Sequence, residues 1–419
     1  MSVATRQQDF RWFMAGQASW FSAFGLQAVL FPFLIVNILF QGPEHIGLAQ
    51  SALMAPSLLL MMLGGAVADA NDLRRLLIYL QLLAALPPLV LAATILLYGP
   101  SYIALIAYAV AYGSIQAFIL PARDAMLHRV AGADMQRAVT SATAIQFASQ
   151  IVGFVVGAGA KILGAPGLLL AQAVLLAFGA AATRRLPPTE PIRDPTSTPA
   201  SRGAGARLSE MAGGVSEVWC SARLRPVVLL MSGVGLFFIS VFMVLLPVMV
   251  RDIYHGSSGS LALINGAFVM GTITSTVVLM RRLPVVHQGR AMVLALMGGA
   301  SLVATFSLEL AQPQFYAHIY VFGCGAGIVM SIGRTIVQES ARATHRARIM
   351  AVYNLSFLGA APVGAFCLGH VAAAIGVLQA ALVCAAGMAC LLVLMLAFTP
   401  VWGLRREVDD LPAHGQALE

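Results

Sequence analysis

GGAVADANDLRR, residues 64–75, joins two long apolar runs in a chain of 419 residues of which only 10% are charged. Asp69 stands at the end of the run before it, and Arg74 and Arg75 open the run after it. A helix dipole favours cations at its C-terminus and anions at its N-terminus, so both runs, read as helices, carry the wrong sign at the junction. The cluster therefore needs partners elsewhere in the fold.

Outward from this junction the chain is 59% hydrophobic with a mean hydropathy of +0.85, against an apolar share of roughly half in soluble domains. A membrane-spanning helix takes about 20 mostly apolar residues. Six such stretches precede the middle of the chain, at 11–38, 46–69, 74–97, 101–125, 136–161 and 165–183, and six follow it, at 224–250, 258–280, 290–310, 313–338, 347–372 and 376–400. The first is too long for a cleaved signal and lacks a small-residue cleavage site. The fold class expected is an all-α membrane protein of twelve transmembrane helices.

Net charge is +8, and its distribution decides its meaning. With the N-terminus inside and twelve spans, 23 of the 25 basic residues fall in or beside cytoplasmic segments, all but Lys161 and Arg251. This is the positive-inside pattern of a multi-pass protein with both termini cytoplasmic. No soluble basic domain is present to bind nucleic acid. Cys220, Cys324, Cys367, Cys384 and Cys390 form no CxxC pair and no His-linked spacing, so neither disulfide nor metal is expected.

Residues 184–223 are rich in Pro, Ser, Thr and Arg and read as a cytoplasmic linker. Near its end Leu208, Met211, Val215 and Trp219 recur at helical spacing, which fits either a short interfacial helix or plain linker. The expected domains are an N-terminal six-helix bundle (1–183), the linker, a C-terminal six-helix bundle (224–400) and a cytoplasmic tail (401–419). A shift of 211 residues superposes Arg123 on Arg334, Arg137 on Arg348 and Gly153 on Gly364. Together with six spans on each side, it points to the parallel half-repeat of a secondary transporter with its site between the halves.

The 64–75 stretch resembles the loop between helices 2 and 3 of the major facilitator superfamily, with Gly65, Asp69, Arg74 and Arg75 in matching places and Ala70 and Asp72 departing from the pattern. Residues 120–154 are similar to the helix 4–5 region of the bacterial secretion-effector branch, which includes enterobactin exporters. Gly153 and Gly157 match there, and Phe154 replaces a Pro. The resemblance implies two pseudo-symmetric bundles working by alternating access, with no cofactor and no enzymatic activity. It also implies a role for the cluster: Asp69 latched at the cytoplasmic side by Arg123 or Arg129 and by the N-terminus of helix 11, near Arg348. Arg74 and Arg75 also serve as a topology signal, which is the alternative reading of the whole cluster.

Candidate substrate contacts are polar and aromatic residues at membrane depth, where unpaired polar groups are costly and face the interior. Helix 1 carries Gln17, Trp20, Phe24, Gln27 and Phe31 on one stripe; helix 4 has Tyr108, Tyr112 and Gln116; helix 5 has Thr143, Gln146 and Gln150. Asn265, Tyr353 and Asn354 come from the second half. Each residue equally suits helix–helix hydrogen bonding or packing, and Gly153 and Gly157, like Gly323 and Gly327, read as close helix packing. No Asp or Glu lies near the middle of a span, so the cavity is expected to suit a neutral or amphipathic solute. Asp124 and His318 are the candidates for carrying a coupling proton.

Rival classes lack their residues. Lys161, in GAGAKI, lacks the surroundings of a phosphate-binding loop, and neither HExxH nor GxSxG occurs. A channel or a solute-sensing receptor fits the repeated halves less well. The expectation is a monomeric carrier in the bacterial inner membrane, exporting a small amphipathic molecule and coupled to protons, with an importer, a facilitator or a lysophospholipid flippase as the alternative.

Overall fold

A computed structural model describes residues 3–131, 135–189, 213–281, 285–308, 310–340 and 345–406. The helices are α1 (Val3–Phe33), α2 (Pro43–Ala70), α3 (Leu73–Tyr98), α4 (Tyr102–Val130), α5 (Met135–Ala158) and α6 (Ala160–Thr183). The second half follows with α7 (Leu224–Asp252), α8 (Ser258–Arg281), α9 (Gln288–Thr305), α10 (Gln312–Ser340), α11 (Arg346–Ile375) and α12 (Val377–Phe398). In hydrocarbon only a helix satisfies every backbone N–H and C=O within its own segment, and apolar runs of this length therefore fold as spans.

Eleven of these helices are long and apolar enough to cross a membrane, and α2 makes the twelfth if its two parts, Pro43–Met61 and Leu63–Ala70, inclined at 51°, form one span. Turns fall where backbone chemistry demands them. Gly99 closes α3 at φ +84° and Gly376 separates α11 from α12 at φ +90°, a region that side chains with a Cβ rarely adopt. Of the interfacial helix expected near the linker's end, Leu208 and Met211 lie outside the described residues, whereas 213–220 is helical.

The two halves are built alike. In the first, α1 packs on α5, α2 on α4 and α3 on α6; in the second, α7 packs on α11, α8 on α10 and α9 on α12. Glycines mark the equivalence. Gly113 of α4 lies against the Leu53 carbonyl of α2, and Gly323 of α10 against the Phe268 carbonyl of α8. Likewise Gly153 of α5 meets the Ser22 carbonyl of α1, and Gly364 of α11 meets the Leu236 carbonyl of α7. A Cβ on Gly157 would stand 2.8 Å from that of Val29, so both glycines of the α5 pair bring that helix onto α1.

Between the halves the contacts run α2 to α11 and α5 to α8, again a symmetric exchange. We call the end of the molecule carrying Arg74, Arg129, Arg184, Arg281 and Arg405 the basic face. Among the described residues, a set of ties joins the halves at the other end. Arg251 Nη1 donates to the carbonyls of Val36 (3.1 Å) and Gln41 (2.8 Å), and Asn37 Nδ2 to that of Gly256 (3.2 Å). Ser51 Oγ donates to the Pro362 carbonyl at 2.6 Å, and Ser258 Oγ to that of Ala158 at 3.0 Å. Beside them a Cβ on Gly369 would lie 2.7 Å from the Pro43 oxygen and 3.1 Å from Gly47 Cα, so α2 and α11 touch backbone to backbone.

Candidate functional site

A cavity of about 620 Å³ lies between the halves. Its two walls differ in chemistry. The first half contributes Gln27, Gln50, Ser57, Gln116, Gln146 and Gln150 together with Arg123, whereas the second contributes one amide, Asn265. The second wall is otherwise apolar, with Phe238, Phe242, Phe268, Phe322 and Phe357 beside Met243 and Met330. Phe242 and Phe268 are 4.6 Å apart by ring centres, and Phe238 and Phe322 are 5.3 Å apart, edge to face.

Backbone irregularity aims part of this second wall. In α7 the segments Val234–Ile239 and Val241–Leu245 are π-helical, and they carry the cavity residues Val234, Phe238, Ile239, Phe242 and Met243. Each π turn inserts an extra residue and rotates the succeeding turn about the helix axis, a device common at functional sites.

Of the residues singled out on α1, Trp20, Phe24, Gln27 and Phe31 line the cavity, and Gln17, buried at the same stripe, does not. Tyr112 is buried behind Trp20, the rings stacked at 6.3 Å and 3°, and Tyr108 exchanges a hydrogen bond with Gln172. Both tyrosines therefore pack the first half internally, and α4 reaches the cavity through Gln116, Ala117, Leu120 and Arg123. Gln146 and Gln150 line it from α5, as does Phe154, while exposed Thr143 donates to its own helix at the Val139 carbonyl. Asn265 faces the cavity and directs its Nδ2 to the Leu261 carbonyl, 2.8 Å away. Tyr353 is buried outside the cavity wall, its hydroxyl 3.5 Å from the Met330 carbonyl, and Asn354 is exposed. His318 is half-buried on α10 and bonds the Gln314 carbonyl, and Asp124, exposed beside Arg123, is not among the residues lining the cavity.

Arg123, read from the sequence as a candidate latch residue, also lines the cavity. Seven residues before Val130 at the basic-face end of α4, its guanidinium turns into the wall, with Cζ 4.5 Å from the centre of the Phe21 ring. Gln50 and Ser57 on α2 escaped the sequence reading. Their signal is the spacing Gln50, Leu53, Met54, Ser57, Met61, a helical stripe in which two polar groups sit among apolar ones.

The junction 64–75 resolves into separate roles. Asp72 caps α3, accepting from the amides of Arg74 (2.9 Å) and Arg75 (3.4 Å) and from Thr189 Oγ at 2.6 Å and its amide at 3.2 Å. Burial raises the Asp72 carboxyl, but the Thr189 and arginine-amide bonds outweigh it and hold it below the ordinary 3.8. Arg74 Nη2 donates to the Arg184 carbonyl at the end of α6 (2.6 Å), and exposed Arg75 lies 3.7 Å from Asp72. Asp72 is thus the carboxylate at the helix N-terminus that the dipole argument lacked. Gly64, next to Gly65, abuts the Ala117 carbonyl of α4, while Asp69 and Arg129 are exposed at the basic face.

Eleven or twelve membrane helices in two equivalent halves, with a closed seam at one end and a cavity on the seam, have the architecture of a membrane transporter. The chain belongs to the Major Facilitator Superfamily, whose description residues 13–365 match. Among solved structures it is similar to the nucleoside transporter NupG, at 14% identity and a TM-score of 0.69, covering 93% of this chain and 98% of that one. A bacterial homologue of the human lysosomal transporter Spinster, inward-facing and unoccupied, aligns at 12% identity and TM-score 0.69 over 96% and 97% of the two chains. A POT family transporter in complex with a thioalcohol-conjugated peptide gives 14%, 0.70, 94% and 96%. At these identities the likeness is one of fold. No curated protein matches the chain.

Proposed function

We propose that the protein is a monomeric alternating-access carrier of the bacterial inner membrane, with bundles 1–183 and 224–400, that exports a small amphipathic molecule in exchange for protons. The observation that carries this reading is the make-up of the cavity: five glutamines on the wall of the first half against one amide on that of the second, with aromatic and thioether side chains on both. A solute satisfies such a lining only if it carries polar groups for the amides as well as apolar surface for the rings.

In this reading the basic face is cytoplasmic, by the positive-inside distribution, and the structure is the state sealed toward the outside. Asp69 then belongs to a latch on the cytoplasmic side, and the ties made by Arg251, Asn37, Ser51 and Ser258 release when the outer side opens.

Counterflow tests it. Proteoliposomes preloaded with an unlabelled amphipathic solute should accumulate the labelled form transiently above equilibrium, and an imposed proton gradient should drive net efflux. A pore gives no overshoot, and its absence across a panel of amphipathic solutes would remove the carrier reading.

A further inference from the structure

Arg123 is the one charged residue among those lining the cavity, and its immediate surroundings leave two of its three nitrogens without an acceptor. Its side chain is 13% exposed, and Nε and Nη1 are buried with no hydrogen bond to the described residues. Asp124 lies 3.7 Å from Nη2, beyond hydrogen-bonding distance, and its side chain is 65% exposed, where water screens the charge. Phe21 meets the guanidinium with its ring face, which offsets charge but accepts no N–H in the plane of the fork. Buried N–H groups without acceptors are costly, and a guanidinium is matched by carboxylate and phosphate oxygens.

The position suits one end of a long ligand. Gln116 lies seven residues back along α4, about 10 Å deeper, and the rings of Phe238, Phe242 and Phe268 face it from the other half. A single cation matches a single negative charge. Resting on the carrier reading above, we infer that Arg123 receives the anionic end of the transported amphiphile, a carboxylate or a phosphate monoanion, while its apolar body lies against the aromatic wall of the second half.

The probes are dansyl-undecanoic acid, ionised, and its neutral primary amide, each titrated by dansyl fluorescence against the full chain in phosphatidylcholine nanodiscs, with empty nanodiscs as background. The protein should bind the acid about tenfold more tightly than the amide. In Arg123→Gln the acid should fall to the affinity of the amide, with amide binding retained; Arg123→Met, which keeps the stem without polarity, serves if the Gln variant does not fold. Arg290→Gln, a basic-face change away from the cavity, should leave the preference intact. Competition by dodecanoate and by dodecyl phosphate identifies which head group is preferred, and dodecanol should compete least. Equal binding of acid and amide by the unaltered protein overturns the inference while leaving an amphipathic cavity, as does an equal loss of preference in Arg290→Gln. Failure of both probes to bind also overturns the inference, while the counterflow panel described above decides the carrier reading separately.

Discussion

Gly47→Ala places one methyl group at the seal between the halves. A Cβ at that position runs into the Ala365 carbonyl and stands 3.1 Å from Gly369 Cα, and both neighbours are backbone, which cannot rotate aside. Replacing Gly by Ala inside a helix favours the helix by about 1 kcal/mol, but that gain is common to both conformations and cancels from their ratio. The remaining difference is the clash present only when α2 and α11 touch, and overpacking of this kind costs about 1–3 kcal/mol. The sealed state should therefore lose population by roughly fivefold to 150-fold relative to the alternative. The assay is labelling of Leu261→Cys in a background stripped of the five native cysteines. Leu261 lines the cavity and is 1% exposed, so an impermeant thiol reagent confined to the non-basic face of sealed vesicles reaches it only when the seal opens. Labelling should accelerate in Gly47→Ala and stay unchanged in Gly266→Ala, where an added Cβ has nothing within 4 Å. Unchanged labelling in a folded Gly47→Ala protein, or equal acceleration in the control, would refute the assignment of this contact as the seal.

Asp69→Asn keeps shape and removes charge; if Asp69 latches the basic face, the substitution weakens that closed state by about 1–2 kcal/mol, so turnover should fall more than affinity, and normal turnover would make the residue a topology signal only. Asp72→Ala removes the α3 cap and should cost about 1 kcal/mol of stability, read as a lower melting temperature. Because the folded carboxyl of Asp72 titrates below 3.8, its contribution is complete above that value and fades as pH falls through the lower folded one; the melting temperatures of the native protein and Asp72→Asn should converge only at that acidic end. Gln27→Ala, Gln116→Ala and Gln146→Ala should weaken solute binding without reducing folded protein, because trimming an amide that faces a wet cavity strands no buried partner; parallel loss of binding and of folded protein would mark them as helix-joining groups.

The spans were legible because backbone satisfaction in lipid makes hydropathy a strong signal, and the half-repeat showed through Gly153 and Gly364 because both lie against the carbonyls of a neighbouring helix. The Gly113–Gly323 equivalence falls at a shift of 210, and a single fixed offset of 211 misses it. At the cavity the helical stripe of α1 was informative, but periodicity gives a face and not a neighbour. Tyr112 shares a stripe with Gln116, yet Trp20 covers it; Arg123 shares it too and turns inward. Part of the aromatic lining was hidden for another reason: Phe238 and Phe242 ride on π turns, whose altered angular step no reading at 3.6 residues per turn anticipates. Asp72 was within reach, since an acidic residue immediately before an apolar run is a capping signal.

The unequal walls also bear on which solutes can work the machine. A ligand shifts a conformational equilibrium only by the difference in its affinity for the two states. A molecule held by the amides alone travels with the first half as cargo and feels little change as the other half tilts past it. One gripped by the amides of the first half and the rings of the second is a tether across a moving seam, slack in one geometry and taut in another. Recognition and work are thus separable here: a purely polar guest can occupy the cavity as an idle passenger, while throughput is reserved for molecules long enough to hold both sides at once.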